Sequence, residues 1–373
     1  MIAHLIAWLV SGAIVLSAPF MGQIRAMLRS AFPGHFAAVV AGAVGVAVVA
    51  AVGAALIRVR DRRAVRYGTI LGAVAAAAAY SFATASGTPD VDAVERVHFL
   101  EYGLISLLFY RAWSATADVS IVALPVAAGV IVGTVEEWFQ WFIPNRVGEA
   151  RDVLLNLVAI GCGLAFSIGV GAPRAFSWRL RPGSAAAIGV WSGAAALVFA
   201  LFLSSVHLGH QIREEGIAFR SRYTSAGLVS LAADRAERWK TSPPKTLVRL
   251  SREDQYMDEG LWHIRQRNER WQANDFAAAW GENRILEAFF APVIDTPSYA
   301  APGISRWPAE QREDAAGRRG GGMAEYVSHA EPYPLFLLPR SVFWSIAGAC
   351  AVLPALAGVA CERRRAAAAA VTV

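Results

Sequence analysis

Long apolar runs separated by short charged loops are the dominant pattern of this chain. A helix of about 20 mainly apolar residues crosses the hydrocarbon core of a bilayer. Eight such runs occur, at residues 2–20, 35–57, 67–82, 93–110, 119–141, 153–170, 185–206 and 342–360. We therefore predict an all-α fold, a polytopic transmembrane helix bundle of about eight spans. The first run lacks a preceding positively charged segment, so we expect it to be retained rather than cleaved as a signal peptide.

One long polar segment interrupts this pattern between the seventh and eighth runs. Helical spacing and capping residues predict helices from Ser225 to residue 239, from a Ser251/Asp254 cap to residue 272, and from an Asn274 cap to residue 290. Strand-like alternation is scarce, so we expect a small helical domain with an irregular C-terminal third. Its arginines predict a solvated basic face; they are Arg220, Arg222, Arg252, Arg265, Arg267 and Arg270.

These patterns divide the chain into five parts. Residues 1–66 hold two leading spans, 67–170 the central membrane core, 171–206 the seventh span, 207–340 the polar domain, and 341–373 the last span and a tail. The three cysteines lie within or just after apolar runs and are expected to be small packing residues.

Lysine and arginine bias in short loops predicts the orientation of the spans. In the eight-span interpretation, the loop at 58–66, Arg111, the loop at 171–184 and the tail with Arg363 share one side, which should be cytoplasmic. Residues 207–340 then become extracytoplasmic in a multi-pass cell-membrane protein. The net charge of +6 comes largely from such loop arginines. It therefore predicts contact with membrane lipid and no nucleic-acid partner.

Polar side chains gather where the fourth span begins, the fifth ends and the sixth begins. The same orientation places all three helix ends at the outer membrane boundary. Spacings of three and four residues give each helix one polar stripe. The candidate ligand-binding residues are Glu95, His98, Tyr102, Glu136, Glu137, Gln140, Asp152 and Asn156, with Arg146 in the intervening turn.

Ionisable groups are costly inside a membrane and often mark functional sites. Three interpretations of this cluster stay open: hydrogen bonds and ion pairs that join helices, a pocket for an anionic or amphipathic envelope molecule, and catalysis. In the pocket, Arg146 and Arg151 would contact phosphate. For catalysis, His98 and the glutamates supply acid–base groups, but the sequence assigns no nucleophile and so no catalytic residue. We predict no cofactor and no metal site, because a lone Glu-x-x-His pattern is more typical of a hydrogen-bonded histidine.

Two motifs within residues 67–170 resemble the VanZ-like family of integral membrane proteins. They are Glu95-x-x-His98-Phe99-x-x-Tyr102, and Glu136-Glu137-x-x-Gln140-x-Phe142-x-Pro144-x-Arg146 followed by Asp152, Asn156 and Gly161. The first acid of the pair is usually Asp in that family, and here it is Glu136.

The family is named for a protein associated with resistance to the glycopeptide teicoplanin. The resemblance implies a cell-envelope role near peptidoglycan or its lipid carriers, with a lipid-linked cell-wall precursor as the implied partner. A membrane-embedded hydrolase or transferase on envelope lipids, and a membrane anchor for the exported domain, are the alternatives.

Overall fold

The computed structural model describes residues 1–143, 146, 148–173, 175–248, 254–299, 302–320 and 325–371. In chain order its elements are α1 (Ile2–Ala31), α2 (Phe36–Arg58), α3 (Arg63–Ala83), α4 (Pro89–Trp113), α5 (Ser120–Gln140), α6 (Ala150–Gly171), α7 (Ser184–Val206), β1 (His210–Glu214), β2 (Ile217–Ser221), α8 (Ser225–Arg238), α9 (Gln255–Gln272), α10 (Phe276–Phe289), α11 (Ala291–Ile294), α12 (Ala309–Arg318), β3 (Tyr326–Val327) and α13 (Arg340–Val371).

The chain divides into two compact units. The apolar unit comprises Met1–Gln140, Gly148–Phe202 and Ser341–Val373, and the polar unit comprises Trp141–Val147 and Leu203–Arg340. The predicted domain 207–340 therefore falls within the polar unit, which also includes part of the loop between α5 and α6.

Six helices of the described chain are long and apolar enough to cross a membrane. They are α1, α2, α5, α6, α7 and residues Arg340–Ala368 of α13. This confirms the membrane helix-bundle class. The other two predicted spans form α3 and α4, whose most apolar stretches are less apolar than those of these six helices because charged residues lie within them. Helix α3 begins with Arg63 and Arg66, and the first half of α4 carries Asp90, Glu95 and Arg96 among other charges.

Helix α4 packs parallel to α6 along its length. Near the start of α6, Arg151 pairs with Glu95. Near its end, the Tyr110 hydroxyl donates to the carbonyl of Gly171 at 3.0 Å. Between these points Gly163 packs closely against Gly103. Small residues permit such close contact between apolar helices.

The basic loops meet at one end of the apolar unit. Arg66 Nε, at the start of α3, donates to the carbonyl of Gly169 at 2.8 Å, and Arg365 in the tail donates to the carbonyl of Leu180 at 2.9 Å. Asp118, before α5, accepts the backbone N–H of Arg181 at 2.6 Å. Burial opposes ionisation of Asp118, but this bond and those from Ser120 and Ser184 lower its pKa to about 2. The loop before α5 is thereby bonded to the loop before α7.

A three-stranded sheet in the polar unit differs from the helical domain that we predicted. β1 and β2 form an antiparallel hairpin with His210 opposite Ser221, and β3 lies parallel to β2. Glu215 and Gly216 both have positive φ, 48° and 77°, as a two-residue hairpin turn requires. Five-residue strands are too short to show a clear alternation.

Helices α8, α9 and α10 occur where helices were predicted, with two of the caps shifted by one residue. Thr224, rather than Ser225, caps α8 by accepting the N–H of Gly227 at 3.1 Å. Asp254, which was predicted to follow the cap residue Ser251, itself caps α9, and Ser251 lies outside the described residues. Asp275, rather than Asn274, caps α10. Asn274 has a φ of 60° and lies just after the C-terminus of α9, where a left-handed residue commonly ends a helix.

The core of the polar unit lies between the hairpin and helices α8 to α11. It contains Phe219, Leu228, Tyr256, Phe289 and Phe290, all fully buried. A smaller cluster around Trp280 and Trp307 packs under α12. The irregular C-terminal third is thus anchored by aromatic side chains.

Candidate functional site

Helices α4, α5 and α6 bring most of the predicted site residues together. The buried Tyr102 hydroxyl on α4 donates to Glu136 Oε2 on α5 at 2.5 Å. Gln140 lies one helical turn after Glu136, and its Nε2 donates to Glu136 Oε1 at 3.3 Å and to Glu137 Oε1 at 3.1 Å. One amide and one phenol therefore serve two neighbouring buried carboxyl groups.

Glu137 joins the end of α5 to the start of α6. Its side chain is 0% exposed, and its second oxygen, Oε2, faces the backbone N–H of Glu149 at 3.4 Å. Glu149 is the residue that precedes α6. Because the first N–H groups of a helix lack partners within the helix, a carboxylate at this place is favoured.

The predicted residues nearer the start of α4 are only half-buried. Glu95 pairs with Arg151 of α6 at 3.3 Å, and Arg151 remains 57% exposed. His98 Nδ1 lies 4.0 Å from Glu101, and its ring is nearly parallel to that of Tyr102, with 6.3 Å between the centroids. We call Glu95 and His98, which lie one to two helical turns before Tyr102 on α4, and Arg151 at the start of α6, the rim.

Asn156 is the most informative residue of the cluster. It is 1% exposed, and neither its amide oxygen nor its amide nitrogen has a hydrogen-bond partner in the part of the chain that the structure describes. The hydroxyl of Thr134, on α5, is also buried without such a partner among the described residues. Unsatisfied buried polar groups are rare in folded proteins, and each needs an explanation.

Gly133 lets Tyr102 and Asn156 pack close to the backbone of α5. A Cβ atom at this position would lie 3.2 Å from the Tyr102 hydroxyl, 3.2 Å from the Asn156 Cβ and 3.3 Å from the Asn156 amide nitrogen. We name the group Tyr102, Gly133, Glu136, Glu137, Gln140 and Asn156 the α4–α5–α6 site. The sequence analysis missed Gly133 and Thr134. Their only signal was a position one turn before Glu136 and Glu137.

Arg146 and Asp152 are two further predicted site residues. Arg146 is half-buried and belongs to the polar unit. Asp152 is half-buried in the first turn of α6, one residue after Arg151. Arg151, which was predicted with Arg146 as a phosphate contact, pairs with Glu95. The motif residue Pro144 lies outside the described residues.

The site and its rim combine hydrogen-bond donors and acceptors. Phenol, amide, imidazole and carboxyl groups can together bind hydroxyl, amide and phosphate groups of a ligand. Within the described residues, no three His, Cys, Asp or Glu side chains are placed to hold a metal ion.

A second buried polar cluster lies in the polar unit, and the sequence analysis missed it. His263 on α9 pairs with Glu282 on α10, with Nδ1 and Oε2 2.6 Å apart. Glu282 also accepts the Tyr326 hydroxyl at 2.8 Å and the Ser328 hydroxyl at 2.6 Å. Burial opposes ionisation of Glu282, but His263 and these two hydroxyl groups hold its pKa below the ordinary value.

Glu259, one turn before His263, is a further buried carboxyl group. It accepts the Ser221 hydroxyl at 2.6 Å and the backbone N–H of Arg222 at 3.0 Å. Its burial raises its pKa despite these bonds. Both acids tie helices to the small sheet and are enclosed by core aromatics, so this cluster is structural.

Comparison of this chain with models of known protein families, with characterised proteins and with solved structures finds no match. The functional conclusion therefore depends on the geometry of the α4–α5–α6 site.

Proposed function

We propose that this chain is a VanZ-like, multi-pass cell-envelope protein whose α4–α5–α6 site binds the polar headgroup of an anionic lipid-linked or glycopeptide-type molecule. A lipid-linked cell-wall precursor has this chemistry. The buried Asn156 amide supports the proposal most strongly. Leaving such a group without a partner costs about 1–3 kcal/mol, so a ligand that bonds to it recovers a substantial free energy.

The groups around Asn156 suit a headgroup that carries both hydroxyl or amide groups and a phosphate. Tyr102 and Gln140 are neutral side chains, and the two glutamates accept hydrogen bonds from sugar or amide donors. Arg151 at the rim supplies positive charge, and a guanidinium can bind phosphate through two parallel hydrogen bonds. Arg146 remains a second candidate for the phosphate.

An eight-span topology accompanies this proposal. Helix α4 lies beside α6 over the whole length of that apolar helix, which supports a transmembrane position for α4 despite its charges. The basic loops share one end of the apolar unit, which supports a cytoplasmic assignment for that end. Residues 207–340 then lie outside the cytoplasm.

Cysteine labelling in intact cells tests this topology. In a cysteine-free background, Arg213→Cys in β1 is expected to react with a membrane-impermeant maleimide, because the Arg213 side chain is 67% exposed. Arg60→Cys, in the exposed loop between α2 and α3, is expected to react only after the cells are permeabilised. The reverse pattern would overturn the proposed orientation.

Gly133→Ala tests the binding site. The added methyl group would crowd the Tyr102 hydroxyl and the Asn156 amide, so we expect at least a tenfold loss of bound lipid, equivalent to about 1.4 kcal/mol. The measurement is native mass spectrometry of full-length, detergent-purified protein reconstituted with envelope lipid extract. Arg146→Ala is measured in the same way to test its contact with phosphate.

Gly161→Ala is the matched control. It also replaces a helical glycine, and both changes gain about 1 kcal/mol of intrinsic helix propensity. A Cβ at Gly161 meets nothing within 4 Å, so lipid retention should equal that of the original chain. Absence of bound lipid in the original chain, or equal retention in the two alanine variants, would refute the proposed function.

A further inference from the structure

An apolar groove opens between helices α2, α3, α4 and α6, on a different side of α4 from the carboxyl cluster. Its volume is about 580 Å³, which lies within the range of small-molecule pockets. Its lining includes Val48 of α2, Ala77 of α3, Phe99 and Leu104 of α4, and Cys162 of α6. Such a surface is compatible with hydrocarbon.

Arg96 is the one charged side chain among the described residues that line this groove. It lies on the first half of α4, and its guanidinium is stacked over the Phe82 ring at 5.5 Å from the centroid. No described residue forms a hydrogen bond or an ion pair with it. Asp92, one turn earlier, feels the charge of Arg96, but its hydrogen bonds come from the backbone N–H and the hydroxyl of Ser86, both at 2.7 Å.

An apolar lining together with one arginine indicates which kind of molecule the groove binds. An arginine beside hydrocarbon is expensive unless its guanidinium reaches an anion or the polar interface. Phosphate matches the planar fork of a guanidinium, as carboxylate does, and phosphate is the anionic group common to lipid headgroups. From its volume of about 580 Å³ we take the groove to accept one chain. Arg96 supplies one cationic contact at the same end of α4 as the rim residues Glu95 and His98.

We infer that the groove binds the hydrocarbon chain of a single-chain lipid phosphate, whose phosphate contacts Arg96. This deepens the proposed function and rests on it for the biological identity of the lipid. Helix α4 contributes to both parts, since Arg96 and Phe99 line the groove while Tyr102 belongs to the α4–α5–α6 site.

Cys162 provides a direct measure of occupancy. In full-length Cys350→Ser/Cys361→Ser protein in detergent, Cys162 is the remaining thiol. Addition of a polyprenyl monophosphate is expected to slow its modification by N-ethylmaleimide at least tenfold. Arg96→Gln should reduce this protection to less than threefold, and Arg96→Lys should retain most of it because the positive charge remains.

Arg111→Gln is the matched control, because Arg111 is an exposed arginine near the other end of α4 and does not line the groove. It should leave the protection unchanged. Equal protection by the uncharged prenol would remove Arg96 from the contact and overturn the proposal. Equal protection by diacyl phosphatidylglycerol would also overturn it, because ordinary bilayer lipid would then fill the groove.

The groove and the headgroup site can fail separately. If lipid is bound in native mass spectra but never protects Cys162, the groove assignment is wrong and the proposed function stands. If polyprenyl phosphate protects Cys162 while Gly133→Ala does not change lipid retention, the groove stands and the headgroup site is wrong.

Discussion

Glu282→Ala is expected to lower the free energy of unfolding of the polar unit by about 3–5 kcal/mol, because each buried polar group that loses its hydrogen-bond partner costs about 1–3 kcal/mol. Glu282 is fully buried and joins α9 to β3 and the chain after it, through His263, Tyr326 and Ser328. Its removal leaves three buried polar groups without their acceptor. The measurement is urea unfolding of the full-length protein in detergent, followed by pulse proteolysis.

Glu259→Gln is the matched control for this prediction. Glu259 is another buried carboxyl group, but its bonds come from the Ser221 hydroxyl and one backbone N–H, and neither is a charged partner. A glutamine can accept one of these bonds while the serine hydroxyl reorients. We expect a change within about 1 kcal/mol. Equal losses in Glu282→Ala and Glu259→Gln would show that the His263–Glu282 pair has no special role.

The two acids should also respond to pH in opposite directions. The pKa of Glu282 is lowered in the folded protein, so its stabilising contribution is present above the unfolded pKa and is lost as pH falls through the folded pKa. The pKa of Glu259 is raised, so its contribution is present below the unfolded pKa of about 4.3 and is lost as pH rises through the folded value. Glu259→Gln should therefore reduce the loss of stability on the alkaline side, and Glu282→Gln should reduce the loss on the acidic side.

The membrane class and most helices can be predicted from the sequence, because the length of an apolar run depends only on residues that are neighbours in the chain. The six apolar helices coincide with predicted runs, although α1 continues through Pro19 to Ala31 where a span ending at residue 20 was expected. Proline is tolerated inside apolar helices when the freed backbone groups find other partners.

The sheet and the basic face of the polar domain were not predictable in the same way. Strand pairing joins β2 to β3 across more than a hundred residues, so no local pattern contains it. Arg267 was predicted to be solvated, but it is buried, donates to Asn283 and to the Ser305 carbonyl, and lies 4.9 Å from the Trp307 ring centroid. Only the folded chain brings those partners together.

For the candidate site, spacing predicted which residues share a helix face but not which helices meet. The four-residue interval placed Glu136 and Gln140 side by side, and they are hydrogen-bonded. The contact between Tyr102 and Glu136 depends on how α4, α5 and α6 pack, and so does the close approach of Tyr102 and Asn156 to Gly133. The role of these residues in binding remains a prediction.

Asn156→Leu separates a binding site from simple helix-joining contacts, because the two interpretations predict opposite signs. If the amide serves a ligand, its apolar replacement removes an unsatisfied buried group. The ligand-free protein should then gain about 1–3 kcal/mol in its free energy of unfolding and lose its bound lipid. Gains of this kind at the expense of activity are common at functional sites. Unfolding of delipidated, detergent-solubilised protein measures the first effect, and native mass spectrometry measures the second.

Ser167→Ala is the control on the same helix. The buried Ser167 hydroxyl already donates to the carbonyl of Gly163 at 2.7 Å, so its removal should change the free energy of unfolding little and leave lipid binding intact. If Asn156→Leu instead destabilises the delipidated protein and leaves the lipid bound, the amide joins helices and the α4–α5–α6 site is not a headgroup pocket. Stabilisation together with loss of lipid requires that the buried amide is retained for a ligand, since nothing in the fold itself would then favour an asparagine at this position.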